Sequence, residues 1–282
     1  MQKIALVTDS GSDLTLEELK ENNIELVPFR IIYPEKEYND VLEISPDDVY
    51  NRLKEHIPTT SLPSIDYMEG VLNRLEKEGY THVIMISISS HFSGTGNSFR
   101  LLLEDHPNLT SFVFDSKTLS APQGTLVLMT AKMIRDGLSF EEICEKLPVL
   151  RTQSHGYFTI DTLEYLKKGG RIGSVAGTIG SVLNIKPIIW VSDEGVYETY
   201  AKVRGQKQAL SRLQKIAKQE LDKYGDCDVT VLSGGADDLA QKLYEMIKDF
   251  DHIKSIRFSK IGPALGVNTG PGTVGVSLQE VH

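Results

Sequence analysis

The 282-residue sequence holds two cysteines, Cys144 and Cys227, and a single tryptophan. Two thiols in a chain of this length do not make a disulfide framework and suit a reducing compartment. Basic residues are in deficit, with 30 Lys and Arg against 39 Asp and Glu, a formal charge of −9. Proteins that grip nucleic acid or anionic membrane surfaces usually carry the opposite balance, so neither partner is expected. Long apolar runs are missing as well. Stretches such as 83–86 and 125–129 fall far below the ~18–20 residues that span a bilayer, and the apolar start at 4–7 is too short for the core of a signal peptide. A soluble, cytoplasmic protein without a transmembrane segment is the expectation. Standard signatures are also scarce: there is no G-x-x-x-x-G-K-[ST], no G-x-S-x-G, no H-E-x-x-H and no C-x-x-C. Gly94-Thr95-Gly96-Asn97-Ser98-Phe99 begins like a dinucleotide fingerprint but lacks its third glycine.

What is present is ordinary globular material, 40% hydrophobic and 24% charged, in enough chain for two domains at ~100–200 residues each. Short apolar runs alternate with amphipathic segments. Strands are expected at 4–7, 24–33, 82–88 and 111–115, with helices at 16–22, 45–56, up to 103, and 124–135. Ser45-Pro46 supplies an N-cap and a proline at the first helical position, and Ser139 with Glu142 has capping-box spacing. Past about residue 150 the pattern restarts. Strands are expected at 156–160, 185–191, 228–232, 253–258 and 273–278, and helices at 162–168, 206–224 and 238–250. Asp193-Glu194-Gly195 reads as a hairpin turn. The expected fold is α/β: two α/β domains, 1–155 and 156–282, with mainly parallel or mixed sheets and a ligand held between them.

In α/β sheets, ligands gather at the carboxyl ends of strands. The loops there are rich in hydroxyls and glycine but poor in catalytic bases: Thr8-Asp9-Ser10-Gly11-Ser12, Thr59 to Ser64, Ser93-Gly94-Thr95, Asp115-Ser116 and Asn268 to Gly272. Hydroxyls and backbone N–H groups at helix starts can hold an anion, although Ser and Thr in such places also serve simply as caps. Asp9 and Asp115 have the same modest reading as caps or turn formers. Gly169-Gly170 reads as a helix end after Lys168, with Gly177 and Gly180 allowing close packing beyond it. No metal-ligating set and no catalytic set stands out.

Six blocks, taken in order, resemble the DegV family of bacterial fatty-acid-binding proteins along nearly the whole chain. They are Thr8-Asp9-Ser10 with Asp13-Leu14; Thr60-Ser61 with Pro63-Ser64; Ile88-Ser89-Ser90 with Ser93-Gly94-Thr95; Asp115-Ser116; the run from Thr162 to Gly173 with Leu183-Asn184-Ile185-Lys186-Pro187; and Gly270-Pro271-Gly272. The resemblance implies one long-chain fatty acid, of the palmitate or oleate class, between two α/β domains. Its carboxylate would be met by Thr60 and Ser93, with Ser61, Gly94, Thr95 and Asn268 as further candidates. It also implies a carrier with no cofactor and no catalytic residues of its own, presenting the acid to a separate ATP-using kinase subunit. Asn268 departs from the family pattern, which has a histidine there. An amide donates a hydrogen bond without the charge of a protonated imidazole, so weaker or less pH-sensitive carboxylate binding is expected, or help from Thr269.

Two other readings compete. His91 and Ser93 would make an acyl-ester hydrolase if the imidazole activated the hydroxyl. A lipid-sensing module would use Lys168, Arg171, Lys202 and Arg204, which stand out in an acidic chain and equally suit docking of a kinase partner. For a tunnel lining the sequence offers Ile84, Met85, Ile86, Phe92, Leu126, Leu128, Met129 and Met133, all of which also fit a plain core.

Overall fold

The computed structural model describes residues 2–178 and 184–281; Gly180 and Leu183, named above, lie outside the described residues. In the N-terminal half the order is β1 (Ile4–Asp9), α1 (Leu16–Glu21), β2 (Ile24–Val27), β3 (Arg30–Ile32), β4 (Glu37–Asn39), α2 (Pro46–Arg52), β5 (Thr59–Ser61), α3 (Ile65–Lys77), β6 (His82–Ser87), α4 (Thr95–Leu102), β7 (Thr110–Asp115), α5 (Ser120–Arg135) and α6 (Phe140–Thr152). Four strands form a parallel sheet ordered β2-β1-β6-β7. Val7, Ile84, Met85 and Ile86 are fully buried in it, as central parallel strands covered on both faces require. The expected caps are present: Ser45 and Ser139 each bond the backbone three residues on, and Asp48 and Glu142 bond back.

The continuous strand expected over 24–33 is in fact two strands in different sheets. Pro28 has no N–H to donate, and the Phe29 N–H goes to Ser10 Oγ at 3.0 Å instead of to a ladder. The chain thereby leaves the parallel sheet and builds a small antiparallel one, β4-β3-β5, in which Thr60 lies opposite Ile31. Residues 59–61, read as loop from the sequence, are its third strand.

The C-terminal half contains β8 (Ser154–Thr159), α7 (Glu164–Lys168), β9 (Ile185–Val191), β10 (Tyr197–Arg204), α8 (Gln206–Tyr224), β11 (Cys227–Gly234), α9 (Asp237–Ile247), β12 (Ile253–Lys260), α10 (Pro263–Thr269) and β13 (Thr273–Glu280). Its sheet is ordered β10-β9-β8-β13-β11-β12, and of these pairings only β11–β12 is parallel. The expected hairpin turn joins β9 to β10, and the insertion of β13 between β8 and β11 completes a mixed sheet, as the sequence reading allows. α10 was not anticipated, although Gly262-Pro263 is a proper start with proline at the first helical position.

The halves meet across an apolar core to which both contribute, including Phe29, Ile31 and Ile88 from one and Tyr197, Leu232 and Leu265 from the other. Tyr50 of α2 enters a recess of glycines. A Cβ at Gly266 would lie 2.7 Å from its hydroxyl oxygen, and one at Gly234 2.9 Å. Polar ties flank this core. Ser89 Oγ donates to Gly195 O at 2.7 Å, Arg257 pairs with Glu18 at 2.8 Å, and Arg151 Nη2 reaches the carbonyls of Lys117 and Ser192.

Candidate functional site

Where β2 and β6 end, the chain turns away from the sheet and leaves a cavity of about 470 Å³ against α10. One end is polar, lined by Thr60, Ser61, Ser90, His91, Ser93, Arg171 and Asn268. The other is apolar, lined by Phe29, Ile88, Phe92, Leu119, Tyr197 and Leu265. Leu119, Tyr197 and Leu265 also line a narrower space of about 40 Å³ that runs on past Pro122, Gly156, Phe158 and Val191. The space therefore grades from hydroxyls and a guanidinium at the mouth to hydrocarbon at depth, the shape an amphiphile fills.

Five of the six candidates for carboxylate contact, Thr60, Ser61, Ser93, Gly94 and Asn268, line this one cavity. Thr60 is brought there by its pairing in β5, and Ser61 Oγ accepts from Arg30 Nη2 at 3.1 Å. Gly94 opens α4 with no side chain of its own, leaving the first backbone N–H groups of that helix uncapped by it. Thr95 is different. It is fully buried, does not line the cavity, and its hydroxyl lies 2.8 Å from Ser93 Oγ, which it orients. Asn268 sits in the last turn of α10, where its Nδ2 donates to Ala264 O at 3.0 Å and its Oδ1 lies against Gly169. Thr269 does not reach the mouth: its hydroxyl donates to Leu265 O at 3.1 Å, and it lines the apolar extension.

Arg171, expected as a docking residue, lies in the cavity wall. The glycine pair ends α7 as anticipated, with Gly170 at φ 73°, and this turns Arg171 back towards the other half. Its Nε donates to Phe92 O at 3.3 Å and its Nη1 to Gly169 O. Lys168 stands beside it, paired with Glu164 at 2.7 Å, on a second groove of about 750 Å³ that meets the cavity at Thr60, Arg171 and Asn268. Lys202 and Arg204 are exposed on β10 and line neither space.

The Ser93 hydroxyl faces Thr95, and no bond between Ser93 and the exposed His91 ring occurs among the described residues. Asp9 acts as a cap and Asp115 as a turn former. Asp9 Oδ1 accepts from Gly11 N and from Gln123 Nε2, both at 3.0 Å, and Oδ2 accepts from Ile88 N at 2.9 Å. Burial pushes Asp9 up to about 6 in spite of these donors. Asp115 accepts from Lys117 N at 2.8 Å. Among the described residues no group of three or more His, Cys, Asp or Glu is placed to hold a metal, and no helix is long and apolar enough to cross a membrane.

Of the lining residues expected from the sequence, only Phe92 borders the cavity. Ile84, Ile86, Leu128 and Met133 pack in one core layer of the N-terminal half, Met85 packs on the opposite face of the sheet, and Leu126 is fully buried in α5. The lining is drawn instead from the segment after β6, from β5, from the start of β10 and from α10.

Comparison with known proteins adds three findings. A family model described as an uncharacterised protein, DegV family, matches residues 3–281. A DegV domain-containing protein of Clostridium perfringens is 47% identical over 280 residues, covering 99% of each chain. Among solved structures, a fatty acid binding DegV family protein of Streptococcus agalactiae is 31% identical with a TM-score of 0.91 over 100% of both chains. A stearic acid-binding protein of Eubacterium ventriosum is 30% identical with a TM-score of 0.86 over 99% of this chain and 98% of its own.

Proposed function

The chain belongs to the DegV family, and from that premise we propose that it binds one long-chain fatty acid between two domains, 1–155 and 156–282, as a carrier in the cytoplasm. The observation that carries this reading is the single cavity whose hydroxyl-lined mouth leads into an apolar extension sharing Leu119, Tyr197 and Leu265. Thr60 and Ser93 hold the carboxylate, with Ser61, the Gly94 turn and Asn268 around them and Thr95 setting the direction of the Ser93 hydroxyl. The tail follows the apolar side.

The energetics permit it. About 14 buried methylenes at ~0.8 kcal/mol each gain about 11 kcal/mol. Taking a carboxylate out of water costs several kcal/mol, which two or three donors at ~1.5–3 kcal/mol apiece roughly offset. Micromolar binding needs only about −8 kcal/mol after association entropy. The tail thus supplies affinity and the head group orientation, so an acidic protein can hold an acidic lipid.

The groove that meets the cavity at Thr60, Arg171 and Asn268 leaves the head group approachable from outside. This supports presentation of the carboxylate to an ATP-using kinase subunit, with Lys168, Arg171, Lys202 and Arg204 as the docking side. The Ser93–Thr95 pairing favours a carrier over a hydrolase, since a hydroxyl partner does not raise the nucleophilicity of Ser93 as an imidazole would.

Native mass spectrometry of purified protein is expected to show co-purified fatty acid. Protein that is reproducibly empty and takes up neither palmitate nor oleate overturns the reading. Replacing Thr60 and Ser93 together by Ala is expected to weaken binding at least ~150-fold without lowering the melting temperature, at ~1.5 kcal/mol or more per lost donor. Unchanged affinity removes these two from the site.

A further inference from the structure

Between the halves, beneath the cavity, lie three carboxylates that no cation pairs among the described residues: Asp9 and Asp40 at 0% exposure and Asp13 at 8%. Two of them hold the start of α10. The helix is capped by Gly262, which has no side chain, and Pro263 has no N–H, so the helix start presents the N–H groups of Gly262 and Ala264. Asp13 Oδ1 accepts the first at 2.8 Å and Asp40 Oδ1 the second at 3.1 Å. Both acceptors come from the N-terminal half. The approach leaves no slack, since a Cβ at Gly262 would lie 2.7 Å from Asp13 Oδ1. Ser120 Oγ donates to Asp13 Oδ2, whereas Asp40 Oδ2 is buried with no hydrogen-bond partner among the described residues. The same α10 carries Ala264, Leu265 and Asn268 of the cavity wall.

We propose that Asp13 and Asp40 are positioning residues forming a proton-dependent clamp on α10, whose ionisation loosens this helix and with it one wall of the cavity. The groups facing the pair are Asp9 on the β1 end, Tyr50 on α2 and Tyr197 on β10, with Asp115 beyond Asp9. None of these supplies positive charge. Both tyrosines are pushed well above their ordinary range by burial, with the Asp13 charge adding to it, and stay neutral near pH 7. Burial is the largest influence on the two clamp carboxylates and pushes each up to about 7, outweighing the donors that favour the charged form. Asp40 raises Asp13 further, and Asp9 raises Asp40.

The direction of the effect follows from linkage. A loosened clamp exposes its carboxylates to water, where they ionise near 4. The closed clamp therefore binds more protons, and its advantage is lost as pH rises from about 4 to about 7 and then levels off. One group with a closed pKa of about 7 allows a shift of ~30-fold between pH 5.5 and 8.

The test is amide hydrogen exchange of ligand-free protein, read as protection factors so that intrinsic pH effects cancel. Protection of Gly262 and Ala264 is expected to fall at least ~tenfold from pH 5.5 to 8, while α8 amides change little. Asp13→Asn and Asp40→Asn should each reduce that response. Ser120→Ala, a milder change, should move its midpoint upward by removing a donor to the charged form. Constant protection in the wild type, or a response surviving unchanged in Asp40→Asn and Ser120→Ala, overturns the clamp. The link to the ligand rests on the fatty-acid reading: release of bound palmitate should accelerate over the same pH window. A protein that binds no fatty acid at any pH defeats that reading alone, because exchange at α10 is measured without ligand.

Discussion

α10 is touched by two polar regions built on opposite plans. At the mouth the polar groups are hydroxyls, an amide, an imidazole and one guanidinium, partly open to water and carrying few bonds to other side chains. In the seam they are carboxylates, shut away and held by backbone N–H groups. The contrast teaches where each kind of polarity is affordable. The acidic ligand proposed above would be met by groups that can donate, whereas carboxylates near the mouth would repel it; the buried ones accept from the protein itself. Substitutions in the seam should therefore act on stability and on α10, and substitutions at the mouth on affinity.

The sharpest break between the two regions should come from Tyr50→Ala. Removing a buried ring that fills the recess formed by Gly234 and Gly266 is expected to cost ~3–5 kcal/mol, read by denaturant unfolding. Any loss of affinity should follow from that instability and be restored at lower temperature; stability within ~1 kcal/mol of the wild type would mean the recess is not packed as described. Arg171→Ala comes next. The guanidinium faces the mouth while tying Phe92 to Gly169, so about a tenfold loss of fatty-acid affinity is expected by titration calorimetry, with a melting temperature near that of the wild type. Lys202→Glu with Arg204→Glu should do least to lipid affinity, under ~twofold, since both lie outside the cavity. That pair separates docking from binding: lost kinase coupling with intact lipid affinity sharpens the contrast, and lost lipid affinity breaks it.

Much of this fold is legible in the sequence, and the exceptions share a cause. Local rules sufficed for α8, whose bounds match the expected 206–224, and for the caps at Ser45 and Ser139. They failed where a distant partner decides. Residues 59–61 become a strand only because β3 is there to pair with, and β3 is free only because Pro28 breaks the run. α10 is a seven-residue helix with no side-chain cap, and Gly262-Pro263 alone is a weak local signal; its acceptors lie in the opposite half of the chain. The site divides in the same way. Thr60, Ser61, Ser93, Gly94 and Asn268 are legible as lining candidates because strand-end loops and the family resemblance single them out. Arg171 and most of the apolar lining were not, because a residue such as Leu119 or Leu265 looks like any core leucine until the two halves are set side by side. Their position next to strand ends and helix starts is the signal that separates them from Ile84 or Leu126.

The two bonds that hold α10 close across 249 and 224 residues of chain. During synthesis, Asp13 and Asp40 must wait for that much further chain to emerge before their partners arrive, and contacts of such long range form slowly. A ribosome-bound nascent chain stopped before Gly262 would therefore have its parallel sheet but not the α10 wall of the cavity, so on the proposed reading lipid loading awaits the emergence of residues 262–269.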